Sequence, residues 1–96
     1  MPGLKIQYAH TTAAMTSSTA TVLALNDNRE YALFVNDGSV DVYIKIGAAA
    51  VANQGIRINA NGGFYEMSRA LGNLSDVAVN GITVSGSATV LVTEGT

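Results

Sequence analysis

The sequence predicts an all-β fold: a small antiparallel β-sandwich or jelly-roll-like barrel of seven to eight short strands, with an extended N-terminal arm. Three observations predict it. From Thr21 onward, short apolar stretches are separated by clusters of Gly, Asn and Asp. Several of those stretches alternate apolar and polar residues, the two-residue period of a half-buried strand. Pro2 is the one proline, so nothing interrupts the strands. Ninety-six residues accommodate one domain with a modest core.

The elements follow in order. Residues 1–20 are assigned to the arm, and residues 21–96 to the β-sandwich domain. The stretch from Ala9 to Ala20 is small and polar and carries no 3.6-residue apolar stripe, so it is expected to be an extended lead-in or to become ordered on a neighbouring subunit. Before it, Leu4-Lys5-Ile6-Gln7-Tyr8 alternates as an added strand would. Thr21–Leu25 is a first strand, ended by Asn26-Asp27-Asn28. Glu30–Val35 is apolar on both faces after its start, which suits a central position. Asn36-Asp37-Gly38-Ser39 has the chemistry of a tight hairpin turn.

Val40, Val42, Ile44 and Ile46 then share one face, while Asp41, Tyr43 and Lys45 share the other. A one-residue slip would expose all four aliphatics, so this register is fixed by burial. Gly47–Gly55 reads as a loop, or as one short helical turn over its Ala run. Ile56 and Ile58 point inward on a short strand, and Asn61-Gly62-Gly63 turns into Phe64–Met67. Residues 68–73 form an irregular crossing or a single helical turn. Asn80-Gly81 reads as a second tight turn between Leu74–Val79 and Ile82–Val84. In the last strand Ala88, Val90 and Val92 face one way, and Thr89, Leu91 and Thr93 the other.

Composition narrows the function. Charged residues make up 12% of the chain, about half the share in an ordinary soluble domain. Five basic residues against seven acidic ones argue against a nucleic-acid binder. The absence of Cys removes disulfides, thiolate metal sites and a cysteine nucleophile. No apolar stretch approaches the ~20 residues needed to span a bilayer, and the start lacks the basic and apolar regions of a signal peptide. Hydrophobic residues nevertheless reach 48%. That surplus implies burial against other chains, hence a subunit of an assembly.

Candidate chemistry is sparse. His10 has no neighbouring second His or Asp to fix it as a ligand or base. No Gly-x-Ser-x-Gly elbow is present, so a serine nucleophile lacks its setting. Asp37 and Asp41 sit around the first hairpin; turn chemistry accounts for Asp37, and Asp41 lies on the polar face of its strand, without invoking glycoside hydrolysis. Asp27, Asp37 and Asp41 lack the spacing of a calcium loop. Gly62-Gly63 leads into Phe64-Tyr65, not into Lys and a helix as a phosphate loop requires. The expectation is no enzyme activity, no cofactor and no metal.

The segment Ala32-Leu33-Phe34-Val35-Asn36-Asp37-Gly38-Ser39-Val40-Asp41-Val42-Tyr43-Ile44-Lys45-Ile46-Gly47 resembles a pattern in small virion structural proteins of tailed bacteriophages. Residues 55–66 and 86–95 resemble the later parts of that pattern, so the likeness spans roughly residues 30 to 95. It implies a capsid decoration (cement) protein bound to the major capsid protein on the virion surface, or a head-fibre or tail component. It carries over no binding residue in the first twenty positions. A homo-oligomer is expected, with a trimer favoured because closure hides sheet edges. Leu4, Ile6, Tyr8, Tyr43 and Tyr65 are the candidate interface residues. A small carbohydrate-binding module is the alternative, with Tyr43 and Tyr65 as its stacking surfaces.

Overall fold

A computed structural model describes residues 5–96. Its strands are β1 (Tyr8–Met15), β2 (Ala20–Leu23), β3 (Tyr31–Asn36), β4 (Val42–Ile46), β5 (Ile56–Ile58), β6 (Phe64–Ser68), β7 (Val79–Ile82) and β8 (Ala88–Gly95). They form two four-stranded sheets, ordered β1-β8-β3-β6 and β2-β7-β4-β5. Every pairing is antiparallel, and no helix occurs among the described residues.

The order reads as one long hairpin folded over. β1 pairs β8, β2 pairs β7, β3 pairs β6 and β4 pairs β5, while β3–β8 and β4–β7 zip the folded halves together. This is jelly-roll winding. The expected sandwich is therefore present, with all strand-to-strand connections except β4–β5 crossing from one sheet to the other.

Burial follows the alternation read from the sequence. Val42 and Ile44 are fully buried, with Val40 and Ile46 packed at the edge of the same core. Ala88, Val90 and Val92 line the core from β8, and Ala32 and Phe34 line it from β3. Phe34 at 0% exposure contributes about 1.5–3 kcal/mol by removing its ring from water. β3 lies between β8 and β6, the interior position expected of a strand apolar on both faces.

Three expectations are corrected. The arm does not end at residue 20: residues 8–15 form β1, paired along its whole length with β8, and Met15 is completely buried. Its small Ala and Thr residues conceal the strand because little apolar surface marks its inner face.

The second correction concerns Asn36-Asp37-Gly38-Ser39, which is no hairpin turn; it carries the chain from β3 to β4 in the opposite sheet. Buried Asn36 makes that crossing. Its Nδ2 donates to the carbonyls of Val40 (2.8 Å) and Ile58 (3.0 Å), and its Oδ1 accepts from Gly38 N at 2.9 Å. Gly38 is required because a Cβ there would collide with Ala88.

The third is Asn80-Gly81, which lies inside β7. Gly81 serves close packing between the sheets, since a Cβ would sit 2.5 Å from Met15 Sδ and 2.8 Å from Val22 Cγ2.

Candidate interaction surfaces

The chain presents two outer sheet faces and two ends of connections. One end gathers the β2–β3 and β6–β7 connections around Arg29. This side chain is entirely enclosed: Nη1 donates to the carbonyls of Ser75 (2.7 Å) and Val77 (2.9 Å), Nη2 to that of Ala24 (2.6 Å), and Nε to Glu94 Oε2 at 2.8 Å. A buried guanidinium is tolerable only with such complete pairing. Asn26 N also donates to Asp76 O at 2.9 Å. The clasp fixes the backbone of both connections, yet Leu25 and Val77 upon them stay exposed at 59% and 38%, and Leu71 on the neighbouring turn at 58%. No sequence motif announces Arg29; it follows from an arginine placed between a turn and an apolar strand, which the sequence reading passed over.

A hollow of about 700 Å³ opens beside this end, lined by Lys5, Ile6, Asn26, Asp27, Asn28, Glu30, Arg69 and Thr96. Glu30 and Arg69 in its wall pair with each other, which lowers the Glu30 carboxyl below its ordinary range and raises the Arg69 guanidinium.

The outer face of the β2-β7-β4-β5 sheet carries Tyr43, with Arg57 as its partner on β5 and Ile82 on β7. Part of this face is covered by the chain itself. Asn80 Nδ2 donates to Ala48 O at 2.6 Å and Ala50 N donates to Thr19 Oγ1 at 2.8 Å, so the β4–β5 connection lies across β7 towards β2. Ala50 of this connection is buried.

The outer face of the β1-β8-β3-β6 sheet has no such cover among the described residues. Register sets its rows, from β1 to β6. They read Tyr8, Gly95, Tyr31, Ser68; then His10, Thr93, Leu33, Glu66; then Thr12, Leu91, Val35, Phe64. Phe64 is 67% exposed and Leu91 39%. The Tyr31 hydroxyl donates to Glu66 Oε2, which together with burial pushes the phenol up to about 12. His10 Nδ1 lies 3.0 Å from Thr93 Oγ1. An open hollow of about 330 Å³ is lined by His10, Thr11, Thr12, Val35, Leu91, Val92 and Thr93.

The structure distributes the sequence-derived candidates unevenly. Leu4 lies outside the described residues. Ile6 is half-buried beside Gly95, and Tyr8 is 55% exposed on the uncovered face. Tyr43 stands half-buried on the opposite sheet. Tyr65 is committed to the fold: its ring stacks on Phe34 at 6.4 Å and its hydroxyl accepts from Asn73 Nδ2 at 3.1 Å. Tyr43 and Tyr65 thus share no face, and the platform imagined for a sugar ring is not formed by them. The expectation missed Phe64, Leu91 and Val35, whose adjacency depends on strand order.

Potentially reactive groups are dispersed. Asp27 belongs to the Arg29 end, while Asp37 and Asp41 flank the β3–β4 crossing, where Asp41 Oδ1 accepts from Ala60 N at 2.8 Å. No group of three His, Cys, Asp or Glu side chains suited to a metal occurs among the described residues. No helix among them is long and apolar enough to cross a membrane. Compared with known proteins, the chain matches no family model, and no curated protein and no solved structure shows significant similarity to it.

Proposed function

We propose that this chain is a non-enzymatic structural subunit of a tailed-phage virion, a capsid decoration protein that binds the major capsid protein shell and stabilises the mature head. The observation that carries the docking part is the Arg29 end. Buried hydrogen bonds hold two connections rigid while Leu25 and Val77 stand out in solvent. Apolar side chains on a pre-ordered backbone lose little entropy on docking, so their burial is available for affinity. The resemblance of residues 30–95 to small virion proteins supplies the identity of the partner, and the low charge of the chain supports it by limiting desolvation costs at contacts. Repetition over a symmetric shell turns modest contacts into firm attachment.

The test is binding of purified chain to capsids stripped of accessory subunits. Leu25→Ser with Val77→Ser should weaken binding by about tenfold, since burying the exposed parts of the two side chains offers about 1.5 kcal/mol together. Circular dichroism should stay unchanged. Equal binding by the double variant would remove the Arg29 end as the docking site, and no binding by the wild-type chain would remove the decoration reading.

A further inference from the structure

We propose that the uncovered outer face of the β1-β8-β3-β6 sheet is the seat of a second copy of this chain, paired about a two-fold axis that lies in the interface, parallel to the strands and between β8 and β3. The face is self-complementary along rows that the register fixes. Rotation about that axis keeps each row at its own level and exchanges its ends, so β1 of one copy faces β6 of the other.

Three consequences follow at once. In the third row Phe64, the most exposed large apolar side chain among the described residues, comes to face Thr12 of the other copy. Thr12 is a wall of the 330 Å³ hollow, so a knob meets a hole, twice per pair. At the centre Leu91 faces Val35 of the copy, and Val35 faces Leu91. In the second row the His10 imidazole faces the Glu66 carboxylate, again twice. His10 and Glu66 are the only ionisable groups in that row and the one below it, and the rotation brings them into donor–acceptor pairs at the rim. A rim of polar pairs around an apolar centre is the anatomy of a specific interface.

Size agrees with this arrangement. Four strands about 4.8 Å apart, of five to eight residues at about 3.3 Å each, give a flat footprint on the order of 400 Å². Side-chain relief raises the accessible area towards the ~800 Å² per partner of a standard interface. Stacking with strands nearly aligned is also the ordinary way two sheets meet. The pairing uses a different surface from the Arg29 end and does not depend on what docks there. It takes the place of the three-fold closure expected from the sequence.

Sedimentation velocity on the full chain, over a hundredfold range of concentration, tests the proposal. The wild type should approach twice its 9.9 kDa mass at the upper end. Phe64→Glu, which places a carboxylate at the hole and alters no buried side chain, should sediment as a monomer with an unchanged far-ultraviolet spectrum. Gln54→Glu adds the same charge on the exposed β4–β5 connection and should leave pairing intact. A wild-type monomer at every concentration, a trimer, or a Phe64→Glu chain that pairs as well as the wild type would each overturn it.

Discussion

The rings of Tyr8 and Tyr31 meet edge to face, 6.0 Å apart at 80°, across the backbone of Gly95. Gly95 pairs with both residues, and a Cβ there would lie 3.0 Å from Tyr8 Cε1 and 3.2 Å from Tyr31 Cβ. The missing side chain lets two aromatics from flanking strands close over the glycine, and their contact ties β1 to β3 through β8. Such contacts are worth about 0.5–1.5 kcal/mol beyond area alone. They also set the Tyr31 hydroxyl against Glu66.

That hydroxyl gives the fold a pH signature. Donation to the Glu66 carboxylate, reinforced by burial and by the negative charge of Glu66, raises Tyr31 from 10.0 to about 12. A raised folded-state value means the stabilisation is complete below pH 10 and is lost as pH climbs from about 10 to about 12. Ultraviolet titration should show a tyrosine ionisation near pH 12, and Glu66→Gln should bring it back towards pH 10. Absence of any ionisation near pH 12 in the folded wild type would show that the bond to Glu66 does not form.

Arg29 should be the most costly polar side chain to remove. Arg29→Met strands Glu94 and three carbonyls that the guanidinium now satisfies. A loss of about 3 kcal/mol or more is expected in urea unfolding. Glu94→Gln keeps an acceptor opposite Nε and should cost only about 1–2 kcal/mol. A near-neutral Arg29→Met would mean the clasp contributes nothing and the Leu25–Val77 end is not held rigid by it.

Gly81 and Met15 should be energetically coupled. Gly81→Ala places a methyl group 2.5 Å from Met15 Sδ, so overpacking of about 1–3 kcal/mol is expected. Met15→Ala alone opens a cavity and should cost about 2–5 kcal/mol. The double variant should be more stable than the sum of the two losses allows, a coupling readable in a double-mutant cycle. Strict additivity would contradict a Gly81 packed against β1.

How much of this was legible in the sequence depended on whether a strand shows one wet and one dry face. β4 and β8 do, and Val42, Ile44, Val90 and Val92 were placed correctly by alternation alone. β1 does not, because its inward side offers Ala13 and Met15 among Thr and Ala, too little to separate strand from lead-in. Turn chemistry misled for a different reason. Asn36-Asp37-Gly38 suits any sharp reversal of the backbone, and a crossing between sheets needs the same local conformations as a hairpin. Among the candidate interface residues, Tyr8 comes from the alternating stretch Leu4–Tyr8, and the structure sets it on the uncovered face. Phe64 and Leu91 are not among those candidates, because a row across four strands exists only once strand order is known.

The place of β1 in the sheet can be checked by truncation. Deleting residues 1–20 removes Met15 from the core and exposes the edge of β8 along eight paired residues. The shortened chain should fail to fold or should aggregate, as judged by circular dichroism and light scattering. A truncated chain that keeps the wild-type spectrum and unfolds cooperatively at the same urea concentration would return residues 8–15 to the role of a dispensable arm.

The proposal of a virion structural subunit is tested most directly by quantitative mass spectrometry of purified tailed-phage particles from the source of the sequence. A copy number comparable to that of the major capsid subunit is the result predicted for a decoration protein covering the shell. A handful of copies would contradict shell decoration and point to a fibre or tail position, and complete absence from the particle would contradict the virion role itself.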